Sequence, residues 1–203
     1  MRVSHLVAIV VLLVACGAVS KTAGQQTSSS PVTVGAGLKQ VAYLKGSNTK
    51  AGDHFGCGGV LDGHAGYGAA VSGDGNTLAI GAPHESGGAK GVNGKGGAEV
   101  YDSGAVYVFI RSGATWAQQA YIKASNPQMS AEFGHAVVLS TDGNTMAVSA
   151  YWEASKATGV NGDQQDESIP QAGAVYVFTR TGTTWTQQAY ICLLYTSPSP
   201  RDS

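Results

Sequence analysis

The string Gly-Ala-Val-Tyr-Val-Phe occurs at Gly104–Phe109 and again at Gly173–Phe178, 69 residues further on. Around it the spacing holds: Trp116 and Trp185 are 69 apart, as are Gln118 and Gln187, while Asp74-Gly-Asn-Thr and Asp142-Gly-Asn-Thr are 68 apart. A fixed period of this size is the signature of a repeat array, in which one supersecondary unit is used again and stacked on its neighbour.

Each unit reads as two hairpins. Ala136-Val-Val-Leu-Ser and Thr145-Met-Ala-Val-Ser flank Thr-Asp-Gly-Asn, and Asp-Gly between apolar runs is a strong short-range hairpin signal. Ala174-Val-Tyr-Val-Phe-Thr and Trp185-Thr-Gln-Gln-Ala-Tyr-Ile flank a second turn at Arg180-Thr-Gly. Composition agrees with short strands and tight turns. Charged residues make up 12%, about half the usual share, and 29 glycines among 203 residues are about twice it. The expected fold is all-β, with antiparallel four-stranded β-propeller blades, about two of them, forming an incomplete propeller. A net charge of −1 with no basic stripe argues against a nucleic-acid partner.

In chain order, residues 1–20 read as an export signal, with Arg2 ahead of the apolar run Leu6–Val14. The run ends Leu13-Val14-Ala15-Cys16, which resembles the lipobox of bacterial lipoproteins. That resemblance implies lipidation of Cys16 and attachment to a membrane; ordinary secretion with cleavage near Ala18–Lys21 is the alternative. Residues 21–37 read as a flexible linker, small and polar at its start. The first repeat covers 38–113, with a Gly-rich insertion at 57–66, and the second covers 114–191. Val41-Ala-Tyr-Leu-Lys and Gln119-Ala-Tyr-Ile-Lys are read as the same strand one repeat apart. At Ile191 the repeat pattern stops in mid-strand. Residues 192–203 look like a sequencing adapter translated in frame, which would make the second repeat a truncated one.

Phe55-Gly56, the hairpin at Asp74, and Gly81-Ala82-Pro83 form the series that names the FG-GAP repeat. The second copy keeps Phe133-Gly134 but has Ser149-Ala150-Tyr151 in the third place. The chain therefore resembles bacterial FG-GAP repeat proteins, relatives of the integrin α-chain β-propeller. The resemblance implies a propeller used for extracellular binding or adhesion. It also implies Ca²⁺ as a cofactor to be considered. The Asp74 and Asp142 turns are too short of oxygens for the six to eight that Ca²⁺ takes. Asn161, Asp163, Asp166 and Glu167 are the better-placed candidate Ca²⁺ loop, against the alternative of a solvated acidic loop.

Glu85 and Glu153 stand 68 apart after the first hairpin of each repeat, and Trp152 stands where the first repeat has His84. These three are the ligand-loop candidates, with Trp152 suited to stacking on a sugar. The histidines at 54, 64, 84 and 135 show no zinc spacing, no Gly-x-Ser-x-Gly is present, and Cys57 has no evident partner, so no catalytic residues are assigned. The expected function is a non-enzymatic envelope or secreted module that binds an extracellular protein or glycan. The alternative is an accessory propeller of a larger extracellular enzyme. The anchoring expectation is directly testable: Cys16→Ser should abolish metabolic labelling by a fatty-acid analogue, and an unlabelled parent would leave ordinary secretion.

Overall fold

A computed structural model describes residues 40–57 and 67–192. The signal, the lipobox with Cys16, the linker, the insertion beyond Cys57 and the tail beyond Cys192 lie outside the described residues. The strands are β1 (Ala69–Val71), β2 (Thr77–Ala82), β3 (Ala105–Ser112), β4 (Thr115–Ile122), β5 (Phe133–Leu139), β6 (Thr145–Ala150), β7 (Gly159–Val160), β8 (Ala174–Thr181) and β9 (Thr184–Cys192). They form two antiparallel sheets, ordered β1-β2-β3-β4 and β5-β6-β8-β9-β7. No helix occurs among the described residues, and so none long and apolar enough to cross a membrane.

The expected hairpins form, and their chemistry repeats. Asp74 Oδ1 accepts from the Asn76 amide at 2.9 Å and Asp142 Oδ1 from the Asn144 amide at 3.0 Å. Ser72 and Ser140 each close their turn by accepting from the threonine amide five residues on. These self-bonded Asp and Asn side chains fix the turn at the backbone. The bulge repeats too, between Val108 and Phe109 and again between Val177 and Phe178.

Three features differ from the sequence expectation. The second sheet has a fifth strand: β7 pairs with the end of β9 through Gly159–Cys192 and Val160–Ile191. Val41–Lys45 forms no strand, and Val41 and Tyr43 are exposed, because no described strand lies beside them to complete a ladder. The sequence repeat and the sheet are also out of phase. β4, counted with the second repeat, completes the first sheet.

Alternation along the strands gives each sheet two apolar faces. In the first sheet Ala105, Tyr107 and Phe109 pack with Ile80 and Ala82 on one face. Val106 and Val108 look the other way, into a core shared with Phe133, Tyr176 and Phe178 of the second sheet. The Val face of the first sheet thus meets the Tyr/Phe face of the second. The Val face of the second sheet is uncovered: Val175 and Ile191 are each 38% exposed, where their counterparts Val106 and Ile122 are 0%. The two sheets do not close a ring.

The sheets approach backbone to backbone. A Cβ on Gly81 would lie 2.0 Å from the Gly134 carbonyl oxygen, and one on Gly104 would lie 2.0 Å from that of Phe133. Gly104 and Phe133 form a parallel bridge between the sheets. The Phe-Gly and Gly-Ala glycines therefore meet across the interface, which gives the motif its physical reason: only hydrogen fits there. The hairpin ends add polar links. Arg180 reaches Thr77 Oγ1 at 3.2 Å, and Trp185 Nε1 donates to Gln119 Oε1 at 3.0 Å. Gly81→Ala should destabilise the chain by about 1–3 kcal/mol or more through overpacking. Urea unfolding measures it, and an unchanged midpoint would show that the sheets do not meet at these glycines.

Candidate functional site

The loops joining β2 to β3 and β6 to β8 carry the ligand-loop candidates, and the structure corrects two of them. Glu85 and Glu153 are 3% and 0% exposed, inside the protein rather than on a displayed loop. Each is the end of a repeated chain of hydrogen bonds. Tyr107 donates to Asn48 Oδ1 at 2.8 Å, and Asn48 Nδ2 donates to Glu85 Oε1 at 3.1 Å. Tyr176 donates to Asn126 Oδ1 at 2.6 Å, and Asn126 Nδ2 donates to Glu153 Oε1 at 3.0 Å. Both glutamates also accept from a loop amide two residues on, Gly87 and Ser155, each at 3.0 Å. Sequence reasoning missed these roles because a carboxylate in a Gly-rich loop reads as solvated. The available signal was the recurrence of Asn48 and Asn126, 78 residues apart like Tyr43 and Tyr121 of the strand read as repeated.

In the first sheet the chain ends on a cation. Lys123 Nζ lies 2.7 Å from Glu85 Oε2 and 2.7 Å from Ser103 Oγ, with its side chain fully buried. Burial pulls the Lys123 pKa down from the ordinary lysine value, and the hydrogen bond and charge of Glu85 oppose that shift. Removing one partner of such a buried pair costs about 3–5 kcal/mol.

Three of the four residues of the candidate Ca²⁺ loop accept from backbone amides. Asn161 Oδ1 accepts from the Tyr190 amide at 2.9 Å, as Asn93 Oδ1 accepts from Tyr121, and both asparagines have positive φ. Asp163 Oδ1 and Asp166 Oδ1 each accept from an amide two residues on. Asn161 is thus a repeated clamp on the last long strand, and the two aspartates close their own turns. Among the described residues no three His, Cys, Asp or Glu side chains gather as metal ligands. The Asp74 and Asp142 carboxylates are likewise occupied by Ser, Asn and amide donors of their own turns. Glu167, the fourth residue of the candidate loop, is exposed.

Trp152 lies half-buried in the loop that follows β6. It borders a shallow groove of about 350 Å³ lined by Met129, Ser130, Glu132, Ala154, Pro170 and Gln171. Its ring stands edge-on to Tyr151 at 4.5 Å, and Tyr151 stacks on His135 at 5.1 Å. The groove is held from below by Glu153. Gln128 donates to the Glu153 carboxylate at 3.1 Å and accepts from the Ala154 amide at 2.8 Å, while the Trp152 amide donates to the Ala131 carbonyl at 3.2 Å.

The same positions in the first repeat carry different chemistry. His54, His84 and Asp102 stand where the second repeat has Glu132, Trp152 and Gln171. His54 meets His84 edge-on at 4.4 Å, and His84 Nδ1 lies 3.1 Å from Asp102 Oδ2. The backbone beneath is alike: His54 and Glu132 have φ of 53° and 54°, and Asp102 and Gln171 have φ of 49° and 64°. Strained non-glycine conformations kept at equivalent rim positions mark a fixed backbone carrying variable side chains.

His54 makes the first rim sensitive to acid. Burial, then the neighbouring His84, lowers its pKa below 6.5, while Asp102 and Asp53 pull the other way. Its buried Nδ1 has no hydrogen-bond partner among the described atoms. A lowered folded-state pKa means that the unfolded chain binds more protons below pH 6.5, so stability is lost as pH falls through that range. His54→Gln should therefore narrow the difference in urea midpoint between pH 7.5 and pH 5.5. An equal difference in parent and variant would assign the acid sensitivity elsewhere.

Residues 116–178 match the FG-GAP repeat family model, starting in β4 of the first sheet and ending in β8 of the second. The matched unit therefore spans the join between sheets and includes Phe133-Gly134, whose glycine makes the close contact. No curated protein and no solved structure matches the chain. What the comparisons establish is a single FG-GAP repeat within an all-β chain of two antiparallel sheets.

Proposed function

We propose that this protein is a non-enzymatic binding module built of β-propeller blades and exported to the cell envelope or beyond. The Trp152 groove is its recognition surface for an extracellular protein or glycan. The observation that carries the reading is the contrast between rim and interior. The Tyr–Asn–Glu chain, the asparagine clamps and the strained rim backbone repeat, while the side chains above them change from His54, His84 and Asp102 to Glu132, Trp152 and Gln171. A constant scaffold with variable loops at one end is how many folds carry recognition.

The groove has the anatomy of a binding surface. Trp152, Met129 and Pro170 supply apolar contact, Met129 is 73% exposed, and Ser130, Glu132 and Gln171 supply a polar margin. Its volume lies within the range of ligand sites. An apolar protein side chain inserted beside Trp152 suits this composition, and a sugar ring stacked on the indole is the second outcome of the same test. Export follows from the signal-like segment 1–20, and lipidation of Cys16 would hold the module at a membrane surface through the 21–37 linker.

Whole-cell pull-down and a glycan array, each run with the full chain, distinguish the two ligand classes. Trp152→Ala should weaken whichever binding is found by about 30-fold or more, as loss of an aromatic anchor does. Undiminished binding by that variant would remove the groove from the reading.

A further inference from the structure

The hairpins β3–β4 and β8–β9 end in the same cation–aromatic pair, set in different surroundings. Arg180 lies over the Trp185 ring at 5.3 Å, and Arg111 lies over the Trp116 ring at 5.9 Å. In the second sheet one oxygen serves both groups: Gln119 Oε1 accepts from Trp185 Nε1 at 3.0 Å and from Arg180 Nη1 at 3.3 Å. Arg180 Nη2 donates further to Thr77 Oγ1 and Asn144 Oδ1. The first sheet has no such acceptor. Val41 stands 78 residues before Gln119, the spacing that also relates Tyr43 to Tyr121, and an isopropyl group accepts nothing. Arg111 keeps the Asn76 Oδ1 bond from Nε, at 3.1 Å. Among the described residues its two terminal nitrogens and Trp116 Nε1 donate to no acceptor. Between these donors and Val41 lies a groove of about 460 Å³, bordered also by Gln40, Gly113 and Ala114.

We propose that this groove is a binding site for a carboxylate on a short alkyl chain, received by the Arg111 guanidinium and the Trp116 indole N–H. The second sheet supplies the template, since Gln119 brings a planar carbonyl oxygen on an alkyl stem to the same two donors. A carboxylate suits the open site better than an amide does. Both its oxygens accept, the guanidinium fork matches them, and the charges are opposite. Arg111 is exposed and Trp116 half-buried, so the donors are within reach of a ligand, and no carboxylate among the described residues pairs with Arg111. Val41, 79% exposed, and Ala114 give the alkyl chain an apolar wall, which inorganic phosphate would leave uncovered. A glutamate side chain of a peptide and a free short-chain acid present this same group. The site is separate from the Trp152 groove and does not depend on what that groove binds.

The three tryptophans of the full chain give three indole N–H signals in a proton–nitrogen correlation spectrum, and Trp116→Phe identifies the one that matters. Butanoate should shift the Trp116 signal saturably, with a Kd of about 10 mM for so small a ligand. The Trp185 signal, already bonded to Gln119, should stay in place. Butanamide, phosphate and chloride at equal concentration should not reproduce the shift. Arg111→Gln should weaken butanoate binding about fivefold or more, as loss of an exposed charge pair does. Val41→Gln should move the Trp116 signal towards that of Trp185 without ligand and abolish the butanoate response, because the new side chain supplies the oxygen from within. Both substituted positions are exposed, so neither change disturbs the core. N-acetylglutamate N-methylamide, titrated alongside, separates the sources: tighter binding than butanoate assigns the site to a peptide glutamate, and equal or weaker binding to a free acid. Three results would each overturn the assignment: no saturable shift of the Trp116 signal, an equal response to butanamide or phosphate, or an undiminished butanoate response in Arg111→Gln or Val41→Gln.

Discussion

The contact on which the rest of the structure depends is the approach of two peptide backbones at Gly81, Gly104 and Gly134. With a hypothetical Cβ only 2.0 Å from a carbonyl oxygen at two of these positions, any side chain would force the sheets apart. Their closeness lets Val106 and Val108 interlock with Phe133, Tyr176 and Phe178, so that one sheet's Val face and the next sheet's Tyr/Phe face become a single core. Interiors are packed tightly enough that a shift of this kind is not absorbed locally. The glycines of the motif are thus interface residues first and turn residues second.

The low charge content of the chain gains meaning from the interior. A unit of this size leaves loops at the ends of its strands, and those loops need polar partners for backbone groups drawn out of water. Glu85 and Glu153 supply them, each binding a loop amide, an asparagine from the segment ahead of the sheet and, through it, a core tyrosine. One buried acid per sheet ties the preceding segment, the core and the rim together. This arrangement frees the outermost positions to vary, which is why a His–His–Asp group on one rim and a Trp–Met groove on the other can rest on the same backbone.

Burial of these acids also divides the two sheets. The first satisfies its carboxylate with Lys123, whereas in the second Asn126, Gln128 and the Ser155 amide donate to Glu153 and Cys192 stands in the lysine's place. The sequence shows the break in the repeat at this point, but its electrostatic consequence appears only once Glu153 is seen to be inside.

What the sequence by itself determined is the local architecture. Alternating apolar residues, Asp-Gly turns and a 68–69-residue period specify antiparallel hairpins and their repetition, because strand alternation and turn chemistry are set by neighbours in the chain. Tertiary structure alone decided which residues face inward and which units pair. Glu85 and Glu153 read as loop acids and are core residues; Asn161, Asp163, Asp166 and Glu167 read as a cation loop, in which Asn161 clamps a strand and the two aspartates close their own turns. β4 reads as the start of the second repeat and completes the first sheet, while Val41–Lys45 has strand sequence but no ladder. In each case the deciding partner is tens of residues away, and burial is a property of the packed sheets that no local pattern encodes.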